Sequence, residues 1–80
     1  MKIKLLFFGM AKDLAGQSTI SFELIEGSKV REFRDILRNT YPSFSKMDSF
    51  AIAVNECYAE EELLLSENDT VAIIPPVSGG

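Results

Sequence analysis

A small α+β roll, with one helix laid across one face of a mixed sheet, is the fold class this sequence predicts. Three observations lead to it. Residues 2–9 and 18–25 alternate their side chains with the period of two that a half-buried strand requires. A single segment, about 29–41, repeats its apolar residues at helical spacing. A β-branched run, Thr70 to Ile74, then closes the chain ahead of two prolines. With 80 residues in all, there is room for one domain and a modest core.

Each element has its own warrant. In the opening strand Ile3, Leu5 and Phe7 share one face, and Lys2, Lys4, Leu6 and Phe8 share the other. The lysines mark that second face as the wetter one. Residues 10–16 predict one helical turn closed by Gly16 before the chain reverses. Ile20, Phe22 and Leu24 share one face of the second strand, and Gly27 then breaks the chain. Ser28 is the expected N-cap of the long helix. Val30, Phe33, Ile36, Leu37 and Tyr41 form its apolar stripe, and Pro42 stops it. Residues 43–49 read as a loop. Phe50 to Val54 read as a short strand, with Asn55-Glu56 as a tight turn into Cys57-Tyr58. Glu60 to Glu62 form an acidic surface segment, and Asn68 is placed to take a left-handed backbone before the last strand.

Composition removes whole classes of chemistry. The chain has no histidine and one cysteine, so His–Cys zinc sites, Cys–His nucleophiles and Ser-His-Asp triads are out. A lone Cys57 points to a reducing compartment. The apolar runs are far shorter than the roughly 18 residues of a membrane span. The start is basic and then only briefly apolar, so Met1 is expected to be the mature start of a cytoplasmic protein. All eight basic residues lie at or before Lys46, against five acids there, and seven acids with no base follow. That asymmetry supports two readings, a solubilising surface or docking on a basic partner. A net charge of −4 makes nucleic acid a poor partner.

The chain ends Ile74-Pro75-Pro76-Val77-Ser78-Gly79-Gly80. Prolines end a strand because they bring no N–H to the ladder. The four residues beyond them reach about 13–14 Å when extended. Glycine lacks a Cβ, so Gly79-Gly80 fits a tunnel too narrow for other residues and leaves the terminal carboxylate bare. A frayed end and a presented tail both fit that composition, and the Pro-Pro pair favours presentation.

The ending Pro75-Pro76-Val77-Ser78-Gly79-Gly80 resembles the tail of the molybdopterin synthase small subunits, which are β-grasp sulfur carriers related to ubiquitin. Ile3 to Phe8, Ala11-Lys12-Asp13-Leu14-Ala15-Gly16, Ala53-Val54-Asn55 and Leu65 to Gly80 follow that family's pattern in order. The family usually has glycine where this chain has Asn68, a residue that tolerates the same backbone. The resemblance implies a β-grasp domain over residues 1–76 and a flexible tail over 77–80. It implies that Gly80 is adenylated, converted to a thiocarboxylate, and gives its sulfur to cyclic pyranopterin monophosphate. Pro76, Val77, Ser78 and Gly79 would enter the partner's active site. The implied partners are the large catalytic synthase subunit and an ATP-dependent activating enzyme, with no cofactor or metal bound by this chain and no nucleic acid or membrane contact.

Two neighbouring functions share the tail chemistry, a thiamine-pathway sulfur carrier and a ubiquitin-like protein modifier. A two-iron two-sulfur ferredoxin is excluded, since it needs four thiolates. Cys57 reads as a small strand residue rather than a sulfur relay, Glu60 to Glu62 as a solvated edge rather than a cation site, and Ser78 has nothing to activate it. By strand parity Val71 and Ile73 face the core while Ala72 and Ile74 face outward. First and last strands are neighbours in a β-grasp fold, so Leu6, Phe8 and Ile74 are expected to form one apolar docking patch.

Overall fold

The alternation of residues 2–7 becomes strand β1, Lys2–Phe7, in a computed structural model that describes residues 1–47 and 49–76. Ile3, Leu5 and Phe7 are buried on one side, while Lys2, Lys4 and the half-buried Leu6 lie on the other. Helix α1, Gly9–Ala15, follows, and strand β2, Thr19–Glu23, returns antiparallel to β1. Helix α2 spans Val30–Thr40, and β3, Ala51–Val54, is joined to β4, Cys57–Tyr58, by a hairpin. Strand β5, Thr70–Ile74, runs parallel to β1 and antiparallel to β3. The sheet order is β2-β1-β5-β3-β4, with the last strand at its centre. This is the mixed sheet and single main helix that the pattern predicts.

The core lies between the sheet and α2. Val30, Phe33 and Leu37 bury one helix face, and Leu5, Phe7, Val71, Ile73 and Ile52 bury the facing side of the sheet. Phe22 packs edge-on against Phe33, with ring centroids 5.9 Å apart. At the far end Phe44 stacks on Tyr41 at 5.1 Å and meets Phe7 edge-on at 6.0 Å.

Several local expectations are corrected. Segment 10–16 forms two turns of helix, closed by Gly16 in the left-handed region at φ 79° with its N–H on the Lys12 carbonyl. Ser28 does not cap α2. Its hydroxyl donates to the Ile25 carbonyl at 2.6 Å, and the cap is Lys29, whose N–H reaches Glu32 Oε1 at 2.8 Å. The first helical amides need no serine, because Val30 N–H goes to Leu63 O and Arg31 N–H to Glu61 O. Ile36 is exposed rather than part of the stripe, since at 100° per residue it sits about 90° from the centre of Val30, Phe33 and Leu37. The expected loop at 43–49 holds a 3₁₀ turn, Pro42–Lys46, wound by the burial of Phe44. Nor are Glu61 and Glu62 merely a solvated edge. Arg34 Nη2 lies 2.7 Å from Glu61, and Glu62 bridges Lys29 at 2.9 Å and Arg31 at 3.0 Å. Those ties engage two of the seven acids that follow Lys46.

The turns follow their residues. Asn55 and Glu56 both have positive φ, 50° and 73°, the mirror-image turn that suits the twist of a two-residue hairpin. Asn68 takes φ 68° as expected, and its N–H bonds to the Lys2 carbonyl.

Candidate functional site

The outer face of the sheet, away from α2, carries the candidate site. Register places one row of side chains across all five strands. Thr19 pairs with Leu6, Leu6 with Ala72, Ala72 with Ala53, and Ala53 with Tyr58. Phe8 and Ile74 extend this row toward the end of β5. Together Leu6, Phe8, Ala53, Glu56, Tyr58, Thr70, Ala72 and Ile74 line a shallow cavity of about 370 Å³. The structure therefore brings the three expected patch residues together, with Leu6 and Ile74 half-buried and Phe8 49% exposed. Tyr58 is exposed as well, at 76%. An open apolar hollow on a small domain is the kind of surface that commonly marks a site of protein contact.

Sequence reasoning missed Tyr58, Ala53 and Glu56 as members of this face. A signal was present. A two-residue turn at Asn55-Glu56 obliges Tyr58 to pair with Ala53, and Ala53 has the outward parity of Ala72. At the other end of the same face Lys2 and Lys4 are exposed, so the surface grades from basic to apolar along β1.

The base of the tail is tied to this face. Phe8 N–H donates to the Ile73 carbonyl at 3.3 Å, holding the start of α1 against the end of β5. Gly9, at φ 52°, lets Pro75 approach so closely that a Cβ there would lie 3.2 Å from its Cγ. Pro75 and Pro76 follow β5 with no strand pairing, and Pro76 is exposed. Val77, Ser78, Gly79 and Gly80 lie outside the described residues, so the expected tail insertion and its reacting end are not described by this geometry, nor is the boundary placed after residue 76.

Other candidates separate from the patch. Cys57 is exposed on β4. Glu62 belongs to the α2 side, where the hydrogen bond from Lys29, helped by the charge of Arg31, holds its carboxyl below its ordinary value. Among the described residues no cluster of three or more His, Cys, Asp or Glu is arranged to hold a metal ion, and no helix is long and apolar enough to cross a membrane.

A helix gripped by a five-stranded mixed sheet with parallel first and last strands, and with an apolar outer face leading into a short C-terminal extension, defines a ubiquitin-like β-grasp protein. SAMP1 of Haloferax volcanii has the same fold, with a TM-score of 0.85 at 22% identity over 100% of both chains. The chain belongs to the ThiS family, whose family model matches residues 5–80. It is 33% identical over 81 residues to the molybdopterin synthase sulfur carrier subunit of Arabidopsis thaliana, covering all of this chain and 84% of that protein. It also shares its fold with a chain in the protein–protein complex of subunits 1 and 2 of molybdopterin-converting factor from Helicobacter pylori, with a TM-score of 0.72 at 24% identity over 100% of both chains.

Proposed function

We propose that this chain is the sulfur carrier subunit of a molybdopterin synthase. The observation that carries the reading is that one strand serves two purposes. β5 contributes Ile74 and Ala72 to the docking face and is followed directly by Pro75-Pro76, and the sequence then ends in Gly79-Gly80. A partner seated on the face thus receives the tail from a fixed origin, which is the positioning that makes a tethered reactant effective. Whole-chain similarity to a plant sulfur carrier subunit supports the same reading.

The chemistry then belongs to Gly80. Its carboxylate, ionised at neutral pH, attacks the α-phosphate of ATP held by an activating enzyme, and pyrophosphate leaves. A sulfur nucleophile next displaces AMP, leaving a thiocarboxylate. The large synthase subunit binds the apolar face, takes in Pro76, Val77, Ser78 and Gly79, and directs that sulfur to cyclic pyranopterin monophosphate. This chain supplies the reactive atom and no acid, base, cofactor or metal ligand; ATP is the activating enzyme's. The reactions proceed in the cytoplasm. A thiamine-pathway carrier and a ubiquitin-like modifier would use the same end on a different acceptor.

The test is deletion of Gly79 and Gly80. The melting temperature stays within about two degrees of wild type, because exposed termini contribute little to stability. Adenylation and conversion of the pyranopterin precursor are both lost. Protein isolated with its activating enzyme also shows a species heavier by the difference between sulfur and oxygen, and the deletion lacks it. A truncated protein that still converts the precursor refutes the carrier mechanism, and Gly80 found linked to protein lysines replaces it with the modifier.

A further inference from the structure

The carboxylates that follow Lys46 divide by what they touch. Glu61 and Glu62 pair with bases of α2 and its cap, Glu67 accepts the Lys2 N–H, and Asp69 accepts from Ser66 N–H and Asn55 Nδ2. Glu56 is different. Among the described residues it has neither an ion pair nor a side-chain hydrogen bond, yet it lines the outer-face cavity with Leu6, Phe8, Tyr58 and Ile74.

Its backbone makes the placement more telling. Glu56 occupies the second central position of the β3–β4 turn at φ 73°, where glycine is the favoured residue. The turn is held from outside. Asn55 N–H donates to Thr70 O at 2.8 Å, Thr70 N–H to Asn55 Oδ1 at 3.0 Å, and Asn55 Nδ2 to Asp69 at 2.9 Å. Backbone strain pinned by its neighbours, around a side chain that the domain itself does not use, marks a functional position.

We infer that Glu56 is a specificity-determining residue of the docking face, selecting a protein partner that sets a lysine or arginine beside its apolar contact. The inference rests on the reading of that face as the contact with the large synthase subunit. A carboxylate on the rim of an apolar contact attracts a cation and penalises an acidic surface that would otherwise fit the hollow. Tyr58, exposed in the same lining, offers a ring face to a guanidinium held there.

The experiment titrates the large synthase subunit with wild type, Glu56→Gln, Glu56→Gly, Glu56→Lys and Phe8→Lys, at low salt and at about 1 M salt, where the Debye length is about 3 Å. Glutamine and glycine weaken binding about three- to fivefold at low salt and converge with wild type at high salt, as expected for an exposed rim pair. Lysine weakens it by about tenfold or more through like charge. The glycine variant melts about 2–5 °C higher, because the strain is relieved. If glutamine and glycine keep wild-type affinity and salt dependence while Phe8→Lys abolishes binding, the role of Glu56 is overturned and the docking face stands. If Phe8→Lys binds like wild type, the docking reading fails and takes the inference with it.

Discussion

Phe8→Ala measures how much of the docking energy one ring carries. Phe8 caps α1 at the edge of the outer face, and 49% of its surface is open. A phenylalanine presents about 150–250 Å², so a seated partner covers about 100 Å² more of it. At about 25 cal/mol per Å² that burial is worth about 2.5 kcal/mol, or about 70-fold in Kd. The part of the ring already covered, a similar area, stabilises the free domain by about 2.5 kcal/mol on the same scale, so binding is compared well below the melting point of the variant. Titration calorimetry against the large subunit reads both quantities that matter. Kd rises about 70-fold, and the heat-capacity change of binding becomes less negative, the mark of lost apolar burial. The backbone bond from Phe8 N–H to Ile73 O is untouched by the substitution, so the base of the tail keeps its origin. A Kd within threefold of wild type with an unchanged heat capacity would refute the assignment of this face.

Two further outcomes test the far side of the molecule. Arg34 donates to Glu61 through Nε at 3.1 Å and Nη2 at 2.7 Å, and to the Phe50 carbonyl through Nη1 at 2.6 Å. Lysine cannot reproduce that fork, so Arg34→Lys is expected to lower stability by about 1–2 kcal/mol and the melting temperature by about 5–15 °C; equal melting would show that the pairing is idle. Glu62 has a carboxyl lowered from its ordinary value of 4.5, chiefly by the Lys29 hydrogen bond. Its contribution to stability is therefore present above that value and is lost as pH falls through the lowered one. Glu62→Gln should lower stability above that window, flatten the acid limb within it and converge with wild type below it, and an identical acid limb would count against the pairing.

Features whose physics is local are legible in the residues alone. Period-two alternation settles which residues of β1 and β5 face the core, so Leu6, Phe8 and Ile74 were legible as outward apolar residues on neighbouring strands. Prolines after Ile74 end the last strand wherever it lies, and Asn55 and Asn68 announce their turns through a backbone that few residues tolerate. Whatever depends on partners far along the chain is set by the packed fold. Ser28 lost the cap of α2 because Leu63 and Glu61, more than thirty residues away, satisfy the first amides of that helix. Phe44 wound the supposed loop into a 3₁₀ turn because Tyr41 and Phe7 wait for its ring. Glu61 and Glu62 spend their charge on α2 because the segment before β5 passes alongside it. The Asn55-Glu56 turn already sets Tyr58 opposite Ala53, but only the β3–β5 register puts that pair, and Glu56 beside it, on the outer face. Conformational preference acts over a few residues, whereas hydrogen-bond satisfaction and burial act between whichever groups the topology brings into contact.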